Sequence, residues 1–380
     1  MLETIFFGSL LLIFYIYLGY PLAAATLAFF VRREVEKGAA EPLVTVVIAA
    51  YNEARVIGQT LENKLALDYP AEKLEIVVVS DASTDDTDLI ASSFAARGVR
   101  LVRQEPRAGK TSALNVVVPA ARGEIVVFSD ANSLYAPDAL RHIVANFADP
   151  GVGYVTGRMV YTNEDGMPTA EGCGAYMRYE NVLRGIEGRL GSVVGVDGGI
   201  DAVRASLYMP MSPDLLPDFV LPLRVVEQGY RVVYEPKALL CEQALKEDAD
   251  EYRMRVRVSL RALWALWEMR RLLNPLRYPL FSWQLWSHKV LRYVCFIFLL
   301  SAYLGNAALL LRRDAYLALF VPQSILYLGG LGAVLLNIAG IKCRYMDFAK
   351  YFCLVNAASA HAFAKFILGK KQVLWLPRKG

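Results

Sequence analysis

Long apolar runs at both ends of the chain, with a middle of ordinary polarity between them, constrain the fold more than any other feature of this sequence. The first run, Ile5 to Phe30, forms a helix of roughly 40 Å, enough to cross a bilayer with some tilt. Val290 to Leu311 and Ala315 to Ile341 are two further candidate spans. Because 55% of the residues are hydrophobic and only 21% are charged, the chain is not a disordered or polar binding segment.

The number of spanning helices stays open between three and four. The last apolar run, Tyr345 to Leu368, carries charged residues that project within about 60° on a helical wheel, which is typical of an amphipathic helix at a membrane surface. We therefore favour three spans plus surface helices. Arg32, Arg33 and Lys37 follow the first run directly, so the positive-inside trend predicts an external N-terminus and a cytosolic globular domain.

The sequence pattern changes near residue 42, where short β-rich runs begin to alternate with helical patterns. The spacing of these runs predicts an α/β domain with a mostly parallel sheet, and such sheets bind ligands at the carboxyl ends of their strands. The predicted organisation is an N-terminal transmembrane helix over 1–31, the α/β domain over 41–250, amphipathic interface helices over 251–289, a transmembrane hairpin over 290–341, and an amphipathic or fourth membrane helix with a basic C-terminal tail over 342–380.

Charge and cysteine content exclude several classes of protein. The formal net charge of +4 is too small to indicate a nucleic-acid partner and suits a basic rim that faces anionic lipid. The five cysteines form no CxxC pair, which predicts reduced thiols rather than a disulfide framework. His142, His288 and His361 are too far apart in sequence to indicate a histidine-rich zinc centre.

Two aspartates stand where predicted strands end. Asp81 follows a run that ends at Ser80, and the polar residues after it suit helix capping as well as chemistry. Asp130 and Asn132 lie two residues apart at the exit of a later strand. Oxygen ligands in this arrangement can bind Mg²⁺ or Mn²⁺ together with substrate oxygens, and an Asx-turn is the alternative interpretation.

The segment RAGKTSALN, which begins at Arg107, lies between these two strands. A phosphate loop would need a glycine five positions before Gly109, where Gln104 stands, so a Walker site is excluded. Arg107 and Lys110 are candidates for contact with a diphosphate, and a solvated loop is the alternative.

Asp218 heads a helical pattern that ends at Gly229, a residue suited to the left-handed conformation after a helix. An N-cap role is sufficient to explain an aspartate at this position. The backbone donors of a helix start would also keep its carboxylate ionised, so that it could take a proton from a hydroxyl. A second helix, predicted over Tyr252 to Leu272, carries a basic stripe that includes Arg257 and Arg261. The stripe would lie against the membrane or a pyrophosphate, and a solvated helix face is the alternative.

Taken together, five motifs resemble those of the family 2 glycosyltransferases, and more closely the membrane-embedded branch that includes the synthases of cellulose, hyaluronan and poly-N-acetylglucosamine. The resemblance covers about 43–272 and extends to the flanking apolar helices. It implies a GT-A fold, which is Rossmann-like, a nucleotide sugar donor that is usually a UDP-sugar, a divalent metal and inversion at the anomeric carbon. The motifs are AAYNEA at 49–54, SDASTDDT at 80–87, RAGKTSALN at 107–115, SDANS at 129–133 and the PDF to YEP segment at 217–236.

The resemblance also implies roles for residues on the donor side. Tyr51 and Glu53 match the loop that contacts the base and ribose, and Asp81 matches the aspartate that reads uracil. Lys110 matches the basic residue near the diphosphate. Of the QxxRW motif of the synthases, only Arg257 is present in this sequence. By resemblance, Arg257 would help to stabilise the leaving diphosphate. The absence of the other motif residues weakens the expectation of processive synthesis.

On the metal and acceptor side, Asp130 and Asn132 match the metal-binding DxD motif, with Asn in the second acidic place. Asp218 matches the catalytic base, although Pro217 stands where a preceding acid is usual. Asp197 and Gly198 match the loop that lines the acceptor side.

These inferences predict a membrane-bound inverting glycosyltransferase that transfers sugar from a UDP-sugar, with Mg²⁺ or Mn²⁺, to a growing polysaccharide or a membrane lipid. The predicted location is the plasma membrane, which in a bacterium is the inner membrane, with several spans and a cytosolic catalytic domain. The alternative is a membrane-tethered subunit that binds nucleotide sugar without turnover, which Asn132 and Pro217 motivate.

Overall fold

The computed structural model describes residues 1–162, 172–243, 248–338 and 346–374. Strands and helices alternate through the middle of the chain, and long apolar helices lie at both ends. The predicted α/β class is therefore confirmed. Lys342 and Arg344, which belong to the predicted C-terminal region, and the end of the basic tail lie outside the described residues.

One mixed sheet of eight strands forms the centre of the α/β domain, in the order β3-β2-β1-β4-β7-β6-β8-β5. The half from β3 to β4 is parallel throughout, as the sequence predicts. The other half is mixed, because β7 runs antiparallel to both β4 and β6. The strands are β1 (Val44–Ala50), β2 (Leu74–Ser80), β3 (Val99–Arg103), β4 (Ile125–Asp130), β5 (Leu134–Tyr135), β6 (Val152–Thr162), β7 (Asp201–Arg204) and β8 (Arg231–Gln243).

The sequence of β1 explains its central place. Every residue of this strand, VTVVIAA, is buried. Val47 and Ala49 pack into the core on one face of the sheet, and Val46 and Ile48 pack into the core on the other. Full burial of one such aliphatic side chain stabilises the fold by roughly 1.5–3 kcal/mol. A continuous apolar run is what a parallel strand requires when helices cover both faces of its sheet.

Helices cover both faces of the sheet and lead out of its strands. Pro217 occupies the first turn of α8, where its missing amide hydrogen costs nothing. Gly229 follows the end of the same helix with φ of +90°, as its position in the sequence predicts. The helices of the domain are α3 (Ile57–Leu65), α4 (Thr87–Ser93), α5 (Lys110–Val117), α6 (Ala139–Ala145), α7 (Gly172–Leu190), α8 (Pro217–Glu227) and α9 (Asp248–Glu268).

The remaining helices are largely apolar. Among the described residues, Leu2–Phe30 and Asp314–Leu336 are long and apolar enough to cross a membrane, and Pro279–Tyr293 with Cys295–Leu310, bent by 58°, would form a third span if counted as one. A π-helical turn, Tyr15–Gly19, joins the first two helices. These elements are α1 (Leu2–Phe14), α2 (Tyr20–Phe30), α10 (Pro279–Leu285), α11 (Leu291–Tyr293), α12 (Cys295–Leu310), α13 (Leu317–Ile338) and α14 (Asp347–Ile367).

The apolar helices pack directly against the α/β domain. Val256 and Leu260 of α9 form a buried cluster with Ala358 and Ala362 of α14. Small side chains on α14 allow the two helix backbones to approach closely. The domain and the C-terminal helices therefore share a core, and α9 connects both.

Candidate active site

The carboxyl ends of β2, β1 and β4 bring two of the predicted aspartates to one edge of the sheet. In the parallel register, Ala50 of β1 lies opposite Ser80 of β2, and Ala49 lies opposite Asp130 of β4. The amide of Asp81 donates to the Ala50 carbonyl at 2.9 Å. Both acids therefore flank the end of the central strand, which is where an open α/β sheet binds its ligands.

Asp81 is fully buried, and its carboxylate organises the loop that leads to Lys110. Oδ1 accepts hydrogen bonds from Gln104 Nε2 at 2.6 Å and from the Ala108 amide at 2.8 Å. Oδ2 accepts from the Gly109 amide at 3.0 Å. Gly109 has φ of +92°, which only glycine adopts without strain. These bonds fix the start of α5, whereas the role of Asp81 in reading a base stays a prediction.

Lys110 joins two acids that are far apart in sequence. Its Nζ lies 2.7 Å from Asp130 Oδ1 and 3.4 Å from Asp218 Oδ1. Lys110 is the first residue of α5, Asp130 is the last of β4, and Asp218 is in the first turn of α8. Three separate elements thus form one cluster with two negative charges and one positive charge.

Burial and charge act against each other in this cluster. Burial favours the neutral amine of Lys110, but the carboxylates of Asp130 and Asp218 outweigh that effect and raise the lysine pKa. Burial also raises the pKa of Asp218, and the nearby ammonium of Lys110 opposes the rise. Loss of that ammonium would therefore raise the pKa of Asp218 further.

Asp218 does not cap its helix, which corrects one interpretation of the sequence. The residue before α8 is Leu216, which has no side-chain hydrogen bond to the helix, and Asp218 is the second helical residue. Arg261 of α9 supports this helix start instead. Its Nη2 contacts the Leu215 carbonyl and donates to Thr111 Oγ1 at 2.9 Å. The buried Arg261 guanidinium thereby links α9, α5 and the segment that leads to Asp218.

The sequence pattern placed Arg261 only in a basic stripe, so its supporting role was missed. Arg257, the predicted diphosphate contact, lies on α9 one turn before Arg261. Arginines four residues apart share a helix face, and periodicity alone does not tell which of them is buried against the domain. The diphosphate contact of Arg257 stays a prediction.

The predicted acceptor-side loop contacts Asp218 through a glycine. A Cβ atom added to Gly198 would lie 2.7 Å from Asp218 Oδ2, and the φ of Gly198 is +83°. The side chain of the preceding residue, Asp197, is 2% exposed and pairs with Arg184 Nη1 at 2.5 Å. Asp197 therefore anchors the loop from behind, while Gly198 leaves space for the carboxylate of Asp218.

The first loop of the sheet edge holds Tyr51 and Glu53, as their position after β1 predicts. The guanidinium carbon of Arg107 lies 3.4 Å from the centre of the Tyr51 ring. The Glu53 amide donates to Thr87 Oγ1 at 2.8 Å, which joins this loop to the start of α4. The Tyr51 ring and the Arg107 guanidinium stack on each other and so join the loop after β1 to the loop that Asp81 organises. The two loops together form one wall of the candidate site at the carboxyl edge of the sheet.

The chain after α14 returns to this wall. Lys371 Nζ pairs with Asp214 Oδ2 at 2.6 Å, and the Lys370 carbonyl accepts from Trp264 Nε1 at 2.9 Å. A Cβ atom on Gly109 would lie 3.1 Å from the Val373 carbonyl oxygen. The end of the described chain therefore lies against the loop that carries Lys110.

Asp130 and Asn132 fit a divalent metal that shares its ligands with the substrate. They offer a carboxylate and an amide oxygen, the hard donors that Mg²⁺ and Mn²⁺ prefer. Within the described ranges, no three His, Cys, Asp or Glu side chains are grouped to hold a metal alone. The ammonium of Lys110 beside Asp130 Oδ1 shows that this carboxylate already accommodates a cation. Phosphate oxygens of a donor would complete the coordination shell.

A cavity of about 560 Å³ opens at the opposite edge of the sheet. Its lining includes Pro42 before β1, Gly123 before β4 and Arg204 at the end of β7. It therefore lies at the amino ends of the parallel strands, away from the cluster of Lys110, Asp130 and Asp218. The predicted site residues Lys110, Asp130 and Asp218 converge at the carboxyl edge instead.

Residues 45–185 match the family model described as Glycosyl transferase family 2. A beta-monoglucosyldiacylglycerol synthase from Nostoc sp. is 36% identical over 126 residues, which are 32% of this chain and 27% of that protein. A poly-beta-1,6-N-acetyl-D-glucosamine synthase from Staphylococcus aureus is 29% identical over 202 residues, 52% of this chain and 48% of that protein. The chain thus spans less than half of the length of either relative.

Similarity to a solved structure extends over nearly the whole chain. A mannosyltransferase from Pyrobaculum calidifontis, in complex with GDP-Man and Mn²⁺, is similar over 97% of this chain and 100% of its own, with a TM-score of 0.75 and 26% identity. The family match covers the strands that carry Asp81 and Asp130, and the structural match covers the sheet and its helices. Residues 45–185 therefore belong to a family 2 glycosyltransferase domain, and the fold is of the GT-A type.

Proposed function

We propose that this protein is a membrane-bound inverting glycosyltransferase that moves a sugar from a nucleotide sugar to a hydroxyl of a growing polysaccharide or a membrane lipid. The observation that carries the proposal is the contact of Lys110 with both Asp130 and Asp218 at the carboxyl edge of the sheet. A cation at this place can stabilise the charge that grows on a leaving diphosphate, and a carboxylate beside it can accept a proton from the attacking hydroxyl.

Lys110 and Asp218 would exchange partners when the donor binds. The diphosphate brings negative charge to the ammonium of Lys110, which then stabilises the charge that grows on the leaving phosphate. A divalent metal at Asp130 and Asn132 would neutralise part of the same charge. Asp218 is then available to accept a proton from the acceptor hydroxyl.

The proposed reaction is a single displacement at the anomeric carbon. The acceptor oxygen forms a bond to the anomeric carbon, and the bond between that carbon and the phosphate oxygen breaks. The hydroxyl proton passes to Asp218, and the nucleoside diphosphate leaves with the electron pair. Attack from the face opposite the diphosphate inverts the anomeric carbon.

The donor and the location are parts of the same proposal. We propose a UDP-sugar donor because Asp81 matches the aspartate that reads uracil in the resembling family. A GDP-sugar is the comparison to include, because the similar mannosyltransferase was solved with GDP-Man. The apolar helices Leu2–Phe30 and Asp314–Leu336 support a multi-pass location with the domain on the cytosolic side.

Replacement of the proposed base tests the function. The full chain in lipid nanodiscs is supplied with UDP- and GDP-sugars, and release of nucleoside diphosphate is measured with glycan or lipid acceptors. We expect Asp218→Asn to lower kcat by about 10²- to 10⁴-fold, because the amide cannot accept the proton. Glu227→Gln, at the other end of α8, is the matched control and should keep wild-type turnover.

Each other outcome has a definite meaning. Unchanged turnover in Asp218→Asn would remove this residue from the role of base. Tight nucleotide binding by the wild type without turnover on any acceptor would favour the nucleotide-sugar-binding subunit over the enzyme.

A further inference from the structure

In the loop after Asp130, buried side chains alternate with partly exposed ones. Ala131, Ser133 and Tyr135 are buried, whereas Asn132 and Leu134 between them are partly exposed. This alternation places the buried side chains on one side of the loop and Asn132 on the other. The contacts of the buried side therefore determine where the proposed metal ligand stands.

One face of α3 supplies those contacts. Thr60 Oγ1 donates to the Ala131 carbonyl at 2.6 Å, and Lys64 Nζ donates to the Ser133 carbonyl at 2.6 Å. These two carbonyls belong to the residues immediately before and after Asn132. We call Thr60, Asn63 and Lys64 the α3 clamp.

Asn63 completes the α3 clamp with a paired contact. Its Nδ2 donates to the Tyr135 carbonyl at 2.9 Å, and its Oδ1 accepts from the Tyr135 amide at 2.8 Å. A side chain that satisfies both backbone groups of one residue acts as a short strand partner. The loop is thus held at 131, 133 and 135 by one helix.

Lys64 is an ionisable side chain at a fully buried position. Its relative exposure is 0%, and its Nζ lies 3.5 Å from the centre of the Tyr135 ring. Burial lowers its pKa well below the usual value, and the negative charge of Glu242 partly opposes that effect. A buried ammonium is costly unless strong acceptors surround it. The Ser133 carbonyl and the Asn63 amide oxygen are such acceptors.

The same cluster also reaches the loop beside Asp218. Ser133 Oγ donates to Glu242 Oε1 at 2.7 Å, and Tyr135 OH donates to the Gly199 carbonyl at 2.8 Å. Gly199 follows Gly198, at which an added Cβ would lie 2.7 Å from Asp218 Oδ2. The cluster under the site therefore sets the metal-side loop and the base-side loop relative to each other.

We propose that Lys64 is a positioning residue which, with Thr60, holds the carbonyls of the two residues that flank Asn132 and so prepares Asn132 and Asp130 to bind a divalent metal with the donor diphosphate. This inference rests on the proposed function and extends it to a residue that does not touch the substrate. Its chemical basis is the pair of hydrogen bonds that Thr60 and Lys64 donate to the carbonyls of Ala131 and Ser133.

The test measures metal affinity directly. Binding of Mn²⁺ in the presence of UDP, and separately of GDP, is titrated by electron paramagnetic resonance on the full chain in nanodiscs. We expect Lys64→Met to weaken Mn²⁺ binding by about 10- to 100-fold, as loss of an outer-shell partner does at other metal sites. Turnover should show a higher KM for the donor with a smaller change in kcat.

A second variant separates positioning from folding. Lys64→Met leaves Glu242 buried without its neighbouring cation, so Lys64→Met with Glu242→Gln should recover thermal stability while Mn²⁺ binding stays weak. Thr60→Val removes only the contact to Ala131, and we expect an intermediate loss of Mn²⁺ affinity. If neither Lys64 variant folds, Thr60→Val takes its place in the test: weakened Mn²⁺ binding supports the proposal, and wild-type Mn²⁺ affinity overturns it.

The controls distinguish this inference from the proposed function. Asp130→Asn should abolish the Mn²⁺ signal in the same titration. Wild-type Mn²⁺ affinity in a folded Lys64 variant, beside a lost signal in Asp130→Asn, overturns the positioning role and leaves the metal site intact. Wild-type Mn²⁺ affinity in Asp130→Asn, or no binding by the wild type, overturns the metal site and this inference with it.

Discussion

Asp201 lies beneath the loop that carries Gly198, with 1% of its surface exposed. Its Oδ2 accepts hydrogen bonds from Tyr154 OH at 2.9 Å and from the Gly198 amide at 3.0 Å. Burial raises its pKa to about 7, and the negative charge of Asp218 adds to the rise. The folded protein therefore keeps this proton up to about pH 7, whereas an unfolded chain releases it near pH 3.9.

The pKa of Asp201 predicts a pH-dependent stability. Because the folded state binds the proton more tightly, the free energy of unfolding should fall as pH rises from about 4 to about 7. Asp201→Asn resembles the protonated form and removes this dependence. Between pH 5 and pH 8, we expect the free energy of unfolding of the variant to rise by a few kcal/mol relative to that of the wild type. The measurement is urea unfolding followed by tryptophan fluorescence. An advantage that does not change with pH would contradict this pKa.

Single residues differed in how far the sequence revealed them. The positions of Asp81, Asp130 and Asn132 at one edge of the sheet were predictable, because they follow apolar runs whose parallel pairing brings strand ends together. Arg261 and Lys64 were not, because each acts on a backbone carbonyl of a segment distant in sequence. A helical pattern shows that such residues share a face, but the carbonyl they bind is known only after the chain has folded.

At the scale of elements, the loop between α7 and β7 determines how closely the backbone approaches Asp218. Gly198 has no Cβ, and a Cβ there would lie 2.7 Å from Asp218 Oδ2 and 2.8 Å from Cγ. The Gly198 amide donates to Asp201 Oδ2, which keeps the loop from moving away. The loop and the first turn of α8 are therefore in contact through a glycine.

Gly198→Ala tests this contact. The added methyl group must displace Asp218 or the loop, so we expect kcat to fall at least about tenfold in the nucleotide-release assay. The substitution also places alanine in a left-handed conformation, at a cost of about 1–2 kcal/mol.

Gly229→Ala is the matched control for Gly198→Ala. Gly229 has φ of +90° and no other atom within 4 Å of an added Cβ. It therefore carries the same backbone strain without the clash, and should lose stability while it keeps wild-type kcat. Equal kcat in the two variants would show that the loop does not position Asp218.

At the scale of the whole molecule, a buried polar network joins the first apolar helix to the α/β domain. Glu187 of α7 is fully buried and accepts hydrogen bonds from Tyr20 OH, from the Val194 amide at 3.2 Å and from His288 Nδ1 at 2.7 Å. His288 Nε2 also lies 3.0 Å from Glu180 Oε2. The network ends at Val194, four residues before Gly198. The apolar helices and the loop beside Asp218 are therefore held by the same buried glutamate.

Removal of Glu187 should destabilise the assembly of these helices. Glu187→Ala leaves Tyr20 OH and His288 Nδ1 buried without this acceptor, and we expect a loss of about 3–5 kcal/mol in the free energy of unfolding in detergent. Glu34→Ala breaks an exposed pair with Arg32, in which the glutamate side chain is 77% exposed, and should cost less than about 1 kcal/mol. Similar losses in the two variants would show that the Glu187 network contributes no more than a surface pair.

The sequence by itself determined the class of the molecule. Apolar runs at both ends and alternating β-rich runs between them lead to an α/β domain flanked by apolar helices, because hydrophobic periodicity is a local property of the chain. The parallel half of the sheet followed from the same runs. The antiparallel entry of β7 did not, because a four-residue strand, DAVR, carries too little pattern to show its direction.

Only the tertiary structure decided which polar groups meet. Lys110 contacts Asp218, which is 108 residues away, and Lys64 contacts Ser133, which is 69 residues away. Such pairs arise from packing of elements that are independent in sequence, and no local periodicity encodes them. The site is thus a property of the fold, formed where helix starts and strand ends of separate segments are brought within hydrogen-bond distance.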